Sequence, residues 1–265
     1  MSTCETSQPG ARADPNRPSI PRIYSYLTGG HGWFPADRDH AETLLGLGAC
    51  MKPDFRELAT RNRHFILAVT RWAASRGIGQ FLDLGSGLPA SPAVHDMAPE
   101  AVVAYVDNDR VAALKMRAWY QGNPRIAVSG QDVREPEKVL GGPAVSKLLD
   151  MGEPLCALLG GTLSAMSGDD ARQAVAGYAE AMTPGSALVI SCVSFADPAT
   201  GDKMAAALSL DALWVNHSAE DVASFFEAGK LEVQGGLADL RRWPRLLPVA
   251  ARGVRLTGGV ALKKA

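Results

Sequence analysis

Three short stretches of the 265-residue sequence carry side chains able to do chemistry together. The first is Asp83-Leu84-Gly85-Ser86-Gly87, an acidic residue followed by Gly-x-Gly. Glycines there allow a ligand to approach the backbone closely, but Leu88, Pro89 and Ala90 stand where a dinucleotide fingerprint would need its third glycine. A nicotinamide dinucleotide is therefore disfavoured. The second is Asp107-Asn108, 24 positions after Asp83, where a carboxylate can accept two hydroxyl hydrogen bonds in a fork and so select a vicinal diol. The third is Asp132-Val133, whose carboxylate is placed to reach an amino group on a purine. His31, in a Gly-Gly-His-Gly-Trp loop, is the best candidate for a general base, since imidazole titrates near neutrality.

The elements that must position these groups follow from apolar spacing. Phe81-Leu82-Asp83-Leu84 reads as a strand ending in the glycine loop, and Val102 to Val106 as a second strand ending at Asp107. Further strands are expected at 125–129, 155–159 and 187–192, with helices at 110–120 and 168–182 between them, the alternation that parallel strands require. Helices over 20–27, 35–50 and 53–76 precede the first strand. Helices at 199–208 and 218–228, with Ser218 as N-cap, lead to strands near 231–234 and 254–262 that close an antiparallel hairpin. The expected fold is α/β, a doubly wound Rossmann-like sheet with a helical cap over 18–78, the α/β domain over 79–265 and a mobile tail over 1–17.

Composition narrows the function. Lys plus Arg (27) and Asp plus Glu (28) nearly cancel, so no global field draws nucleic acid or an anionic membrane. No stretch reaches the roughly 20 apolar residues of a bilayer span, and Met1 to Pro18 lacks a signal peptide's apolar run, which points to the cytoplasm. Cys4, Cys50, Cys156 and Cys192 are widely spaced and read as free thiols; five histidines without ligand spacing give no metal site. Asn216, His217, Trp33, Phe34, Trp214 and Trp243 are candidates for an acceptor pocket.

The glycine loop with Asp107 and Asp132 resembles class I S-adenosylmethionine-dependent methyltransferases. Pro18 to Gly30, Phe34-x-x-Asp37-Arg38, Asn62-Arg63-x-Phe65, the Gly-Leu-Pro after the glycine loop and Val106-Asp107-Asn108-Asp109 resemble one bacterial family among them, long catalogued as a domain of unknown function. The resemblance covers about residues 18 to 262. It implies a seven-stranded sheet with a reversed last strand and S-adenosylmethionine as cofactor. It makes Asp83, Gly85, Ser86 and Gly87 the methionine-side loop, Asp107 the ribose ligand with Asn108 beside it, and Asp132 with Val133 the adenine wall. It also implies a cap over the cofactor formed by Arg22, Tyr24 and Tyr26; the tyrosines, together with the loop residue His31, are the expected catalytic residues.

The chain departs from the family pattern at the mouth of the site. His31-Gly32-Trp33 follows the paired glycines, Gly160-Gly161-Thr162 stands where an apolar-His pair is usual, and Ser191-Cys192 replaces Ser-His. The leading expectation is methyl transfer to a small-molecule acceptor, of the kind met in specialised biosynthesis. Two alternatives are internal cyclisation or lysis of S-adenosylmethionine, releasing methylthioadenosine, and a non-catalytic nucleoside-binding regulator.

Overall fold

The computed structural model describes residues 14–49, 51, 53–210, 214–245 and 253–264. Residues 1–13, most of the expected tail, lie outside it, as do Cys4 and Cys50. Asp14 to Arg17 form a turn, and the Arg17 carbonyl accepts from the Arg22 guanidinium.

Among the described residues eight strands form one sheet: β1 (Gln80–Leu84), β2 (Val102–Val106), β3 (Ile126–Ser129), β4 (Cys156–Gly160), β5 (Ala187–Phe195), β6 (Glu232–Val233), β7 (Ala238–Asp239) and β8 (Val254–Leu262). Their order is β3-β2-β1-β4-β5-β8-β6, with β7 also paired to β8. The pairs among β1 to β5 are parallel, and β8 runs antiparallel to β5 from Ala187↔Leu262 to Phe195↔Val254. One edge of β8 is thus filled by β5, so β6 and β7 share the other edge. Eight segments occupy seven positions, and the last strand is reversed. β5 runs three residues beyond its expected end because β8 supplies partners as far as Val254.

β4 and β5 are nearly all buried, as parallel strands with both faces covered must be. On one face, Leu84, Ala104, Leu159 and Ile190 pack under Tyr178 of helix Gly168–Ala181 and Phe225 and Phe226 of helix Ala219–Ala228. Ser218 caps the latter helix by accepting from Asp221 N.

Among the described residues three helices lie before the sheet: α1 (Ile20–Leu27), α2 (Pro35–Leu47) and α3 (Phe55–Ala74). α3 starts where Asp54 accepts from Glu57 N. Its C-terminal half places Phe65, Val69 and Ala73 on the second sheet face with Phe81, Val103 and Val189. Its first turns place Phe55 and Leu58 with Ile23 and Leu27 of α1 and Leu44 of α2. One helix therefore belongs to both the sheet core and the N-terminal cluster. Each such large apolar side chain contributes roughly 1.5–3 kcal/mol on burial, so α1 is seated by its own apolar face. Among the described residues no helix is long and apolar enough to cross a membrane.

Candidate functional site

β1 neighbours both β2 and β4, so chain direction diverges there and leaves a crevice beyond the carboxyl ends of the strands. A cleft of about 730 Å³ opens at that point, roofed by α1. Its floor is the glycine loop. Gly85 (φ +76°) sits so close to Thr162 that a Cβ would lie 2.4 Å from Oγ1, while that hydroxyl donates to Leu84 O at 2.6 Å. Gly85 N and Ser86 N donate to Val106 O at 2.8 and 3.1 Å, and Gly87 (φ +71°) donates its N–H to Asp107 Oδ2 at 2.7 Å. The loop is tied to the end of β2 through backbone bonds.

Asp83, Asp107 and Asp132 all line this cleft, with Asn108 and Val133. Asp107 also accepts from Asp109 N at 2.8 Å. Burial pushes its carboxyl up to about 6, against the two backbone N–H bonds. Asp83 accepts no hydrogen bond among the described residues; burial pushes it up to about 7, the Asp107 charge adds to this, and Arg63 opposes it. Asp132 differs. Arg134 Nε lies 3.0 and 3.1 Å from its two oxygens, which holds this carboxyl below the usual range, and Asn108 Nδ2 donates to it at 3.3 Å.

The two raised carboxyls have a thermodynamic consequence. Between the ordinary aspartate value near 4 and the native values of about 6 and 7, the folded chain binds more protons than the unfolded one. Stability should therefore fall as pH rises through that window. Thermal denaturation of the free protein should give a lower Tm at pH 7.5 than at pH 5.5, and Asp83→Asn should flatten the slope. A Tm that rises over this range, or an unchanged slope in the variant, contradicts this account.

The other side of the cleft is built from α1, α3 and the ends of β4 and β5. Tyr24 donates from its hydroxyl to Ala59 O at 3.0 Å and accepts from Asn62 Nδ2 at 3.2 Å. Asn62 Nδ2 also donates to Gly160 O at 3.3 Å, and Asn62 Oδ1 accepts from the buried Ser191 hydroxyl at 2.6 Å. Burial raises the Tyr24 hydroxyl to about 12, so it stays protonated at neutral pH. Beyond Tyr24 the cleft is apolar, lined by Phe55, Leu58, Val193, Leu208 and Trp214.

Three residues expected over the cofactor do not line the cleft. Arg22 is buried against Asp37, with Nε 2.8 Å from Oδ2. Tyr26 bonds Glu42 and lies under Arg56, with Trp33 edge-on. Both face α2, because residues four apart on α1 share a face while Tyr24, between them, points to α3. His31 is exposed and offers its carbonyl to Ser25 Oγ at 3.0 Å. Of the proposed acceptor wall only Trp214 reaches the cleft. His217 is buried on Leu163 O and Phe225, Asn216 holds Phe195 N, Phe34 lies under Arg22, and Trp243 packs on Phe65 and Trp72. Asn62, Arg63, Gly160 and Thr162 also line the cleft, positions that the sequence marks only as parts of the family motifs and of the departures from them.

A family model described as S-adenosyl methyltransferase matches residues 6–264. The chain belongs to that family. S-adenosylmethionine is accordingly the cofactor of this S-adenosyl methyltransferase, and the chain is an enzyme of the methyl-transferring class. Among solved structures, a Thermobifida fusca protein assigned as a candidate methyltransferase is 32% identical over 94% of this chain and 96% of its own, with a TM-score of 0.80. A DUF574 family protein from Streptomyces avermitilis is 25% identical over 95% and 100% of the two chains, with a TM-score of 0.81. Human N-acetylserotonin methyltransferase, solved with S-adenosylmethionine, shares the fold at 11% identity over 94% and 64%, with a TM-score of 0.50. Among curated proteins none matches. The residues present in this S-adenosyl methyltransferase fit the cofactor's chemistry: a part-buried carboxylate that accepts no hydrogen bond among the described residues lines the cleft at Asp83, and Gly87 leaves the loop open, with only Pro21 Cβ at 4.0 Å from a would-be Cβ.

Proposed function

We propose that this enzyme transfers a methyl group from S-adenosylmethionine to a small apolar acceptor. The observation that carries the reading is one cleft lined both by the carboxylates of Asp83, Asp107 and Asp132 and by a cluster of apolar side chains, Phe55, Leu58, Leu208 and Trp214, that Tyr24 packs against. The cofactor supplies an electrophilic methyl on a sulfonium. Asp107 offers its remaining lone pairs to the two ribose hydroxyls, and Asn108, Asp132 and Val133 border the adenine. Asp83, once ionised, balances the amino group of the methionine portion, and the Arg63 guanidinium, whose charge reaches Asp83 from α3, balances its carboxylate.

Tyr24 acts by position, because a hydroxyl that keeps its proton to about 12 removes none from an acceptor at neutral pH. Rate then comes from proximity and the exclusion of water under α1, which in-line attack on a methyl carbon requires. Two measurements test the reading. Calorimetry should show S-adenosylmethionine and S-adenosylhomocysteine binding below millimolar concentration. With S-adenosylmethionine alone, the protein should leave it intact, whereas accumulation of methylthioadenosine would mean that the cofactor's own amino acid portion is the nucleophile and would overturn methyl transfer to a second molecule.

A further inference from the structure

We propose that the acceptor is a primary amine carried on an apolar body, held through its two N–H bonds by Gly160 O and Tyr24 Oη. This deepens the methyl-transfer reading above and rests on it. Asn62 Nδ2 lies 3.2 Å from Tyr24 Oη and 3.3 Å from Gly160 O, so these two oxygens already share the hydrogens of one NH₂ group. Two acceptors at that spacing suit a second NH₂ presented from the cleft, which both residues line.

Neither oxygen is exhausted by its internal bonds. Tyr24 Oη accepts one hydrogen bond and donates one. Gly161 N donates to Ser191 O, so the peptide groups of alternate residues on β4 face β5, and the Gly160 carbonyl faces the other edge. On that edge the pairing of β4 with β1 ends at Leu158, and Ser86 N, next along the chain, is turned to Val106 O. Gly160 O therefore stands beyond the last ladder bond, at the switch point.

Every donor at this junction is committed. The Tyr24 hydroxyl goes to Ala59 O, the Ser191 hydroxyl to Asn62 Oδ1, and both Asn62 N–H bonds to Tyr24 and Gly160. The junction thus presents lone pairs, which repel a phenolate or thiolate and welcome N–H. A neutral hydroxyl donates one hydrogen and leaves the second oxygen facing a lone pair, while a primary amine satisfies both. The described cleft residues include no His, Lys, Cys or Glu, and the aspartates stand toward strands β1 to β3 or beside Met166 and Ser167. A nucleophile that needs no base suits this wall. The nitrogen lone pair forms the N–CH₃ bond as the S–CH₃ bond breaks, positive charge passes from sulfur to nitrogen, and the nitrogen releases one proton to water. The neighbouring Phe55, Leu58, Leu208 and Trp214 take the apolar body. One methylation removes one of the two N–H bonds, so the product is released as the secondary amine.

The test uses the full chain saturated with S-adenosylhomocysteine and three matched probes at pH 8: 4-butylaniline, N-methyl-4-butylaniline and 4-butylphenol. Calorimetry should show 4-butylaniline binding about tenfold tighter than either of the others, the scale of one hydrogen bond. Tyr24→Phe should erase that preference while S-adenosylhomocysteine binding stays within about threefold. Equal or tighter binding of the phenol or the secondary amine overturns the proposal, as does binding of none of the three, or a preference that survives Tyr24→Phe. Failure of S-adenosylhomocysteine itself to bind is a different result, and removes the methyl-transfer reading first.

Discussion

Asp37→Ala is expected to lower folding stability by about 3–5 kcal/mol, the cost of breaking a buried ion pair from one side. Asp37 is fully buried and accepts from Ser19 N, Arg22 Nε and Phe34 N at 2.9, 2.8 and 2.7 Å. One carboxylate thus ties the start of α1, the middle of α1 and the start of α2. Removing it leaves the buried Arg22 guanidinium, itself 3% exposed, with the Arg17 carbonyl but no counter-charge, and leaves two backbone N–H groups without their acceptor. Chemical denaturation measures the loss. A deficit under about 1 kcal/mol would mean that α1 re-seats around the missing group. The Arg22→Met, Asp37→Leu double variant separates the causes, since replacing both charges by apolar groups should lose much less than replacing one. Because Pro21 of α1 lines the cleft against the glycine loop, Asp37→Ala should also weaken S-adenosylhomocysteine binding although Asp37 does not line it.

The sheet was legible because its signals are local. The strand that ends in Asp83 and the glycine loop, the strand that ends at Asp107, and the closing strand Val254–Leu262 all lie where their apolar runs put them. A residue at the carboxyl end of a parallel strand has one place to go, so Asp83, Asp107 and Asp132 reached the cleft together. Asn62 stands in the Asn62-Arg63-x-Phe65 motif, but its partners Gly160 and Ser191 are 98 and 129 positions away and no spacing announces them. The grouping of Arg22, Tyr24 and Tyr26 failed for a reason visible in the sequence. Positions two apart on a helix point to opposite sides, so a single face could take Arg22 with Tyr26 or Tyr24, never all three. Phe34-x-x-Asp37 likewise marked a real feature, but its carboxylate anchors α1 and leaves cofactor contact to others.

Asp107→Ala should weaken S-adenosylhomocysteine binding by about 1.5–3 kcal/mol, the range for losing charge-assisted hydrogen bonds. The structure sharpens what that number contains. Each Asp107 oxygen already accepts one backbone N–H, from Gly87 and from Asp109, so the alanine variant loosens the glycine loop as well as removing ribose contacts. A cycle with the 2′-deoxy analogue of S-adenosylhomocysteine divides the two effects. If Asp107 holds the 2′-hydroxyl, the analogue should bind wild type more weakly than the parent does, and Asp107→Ala should bind both alike. Asp107→Asn, which keeps one carbonyl oxygen and the shape, should fall between wild type and alanine. A wild-type dissociation constant in Asp107→Ala, or an undiminished preference for the 2′-hydroxyl in that variant, would take the ribose away from Asp107. The loop term has its own signature: it persists with the deoxy analogue, because the Gly87 N–H loses its acceptor whichever ligand is bound.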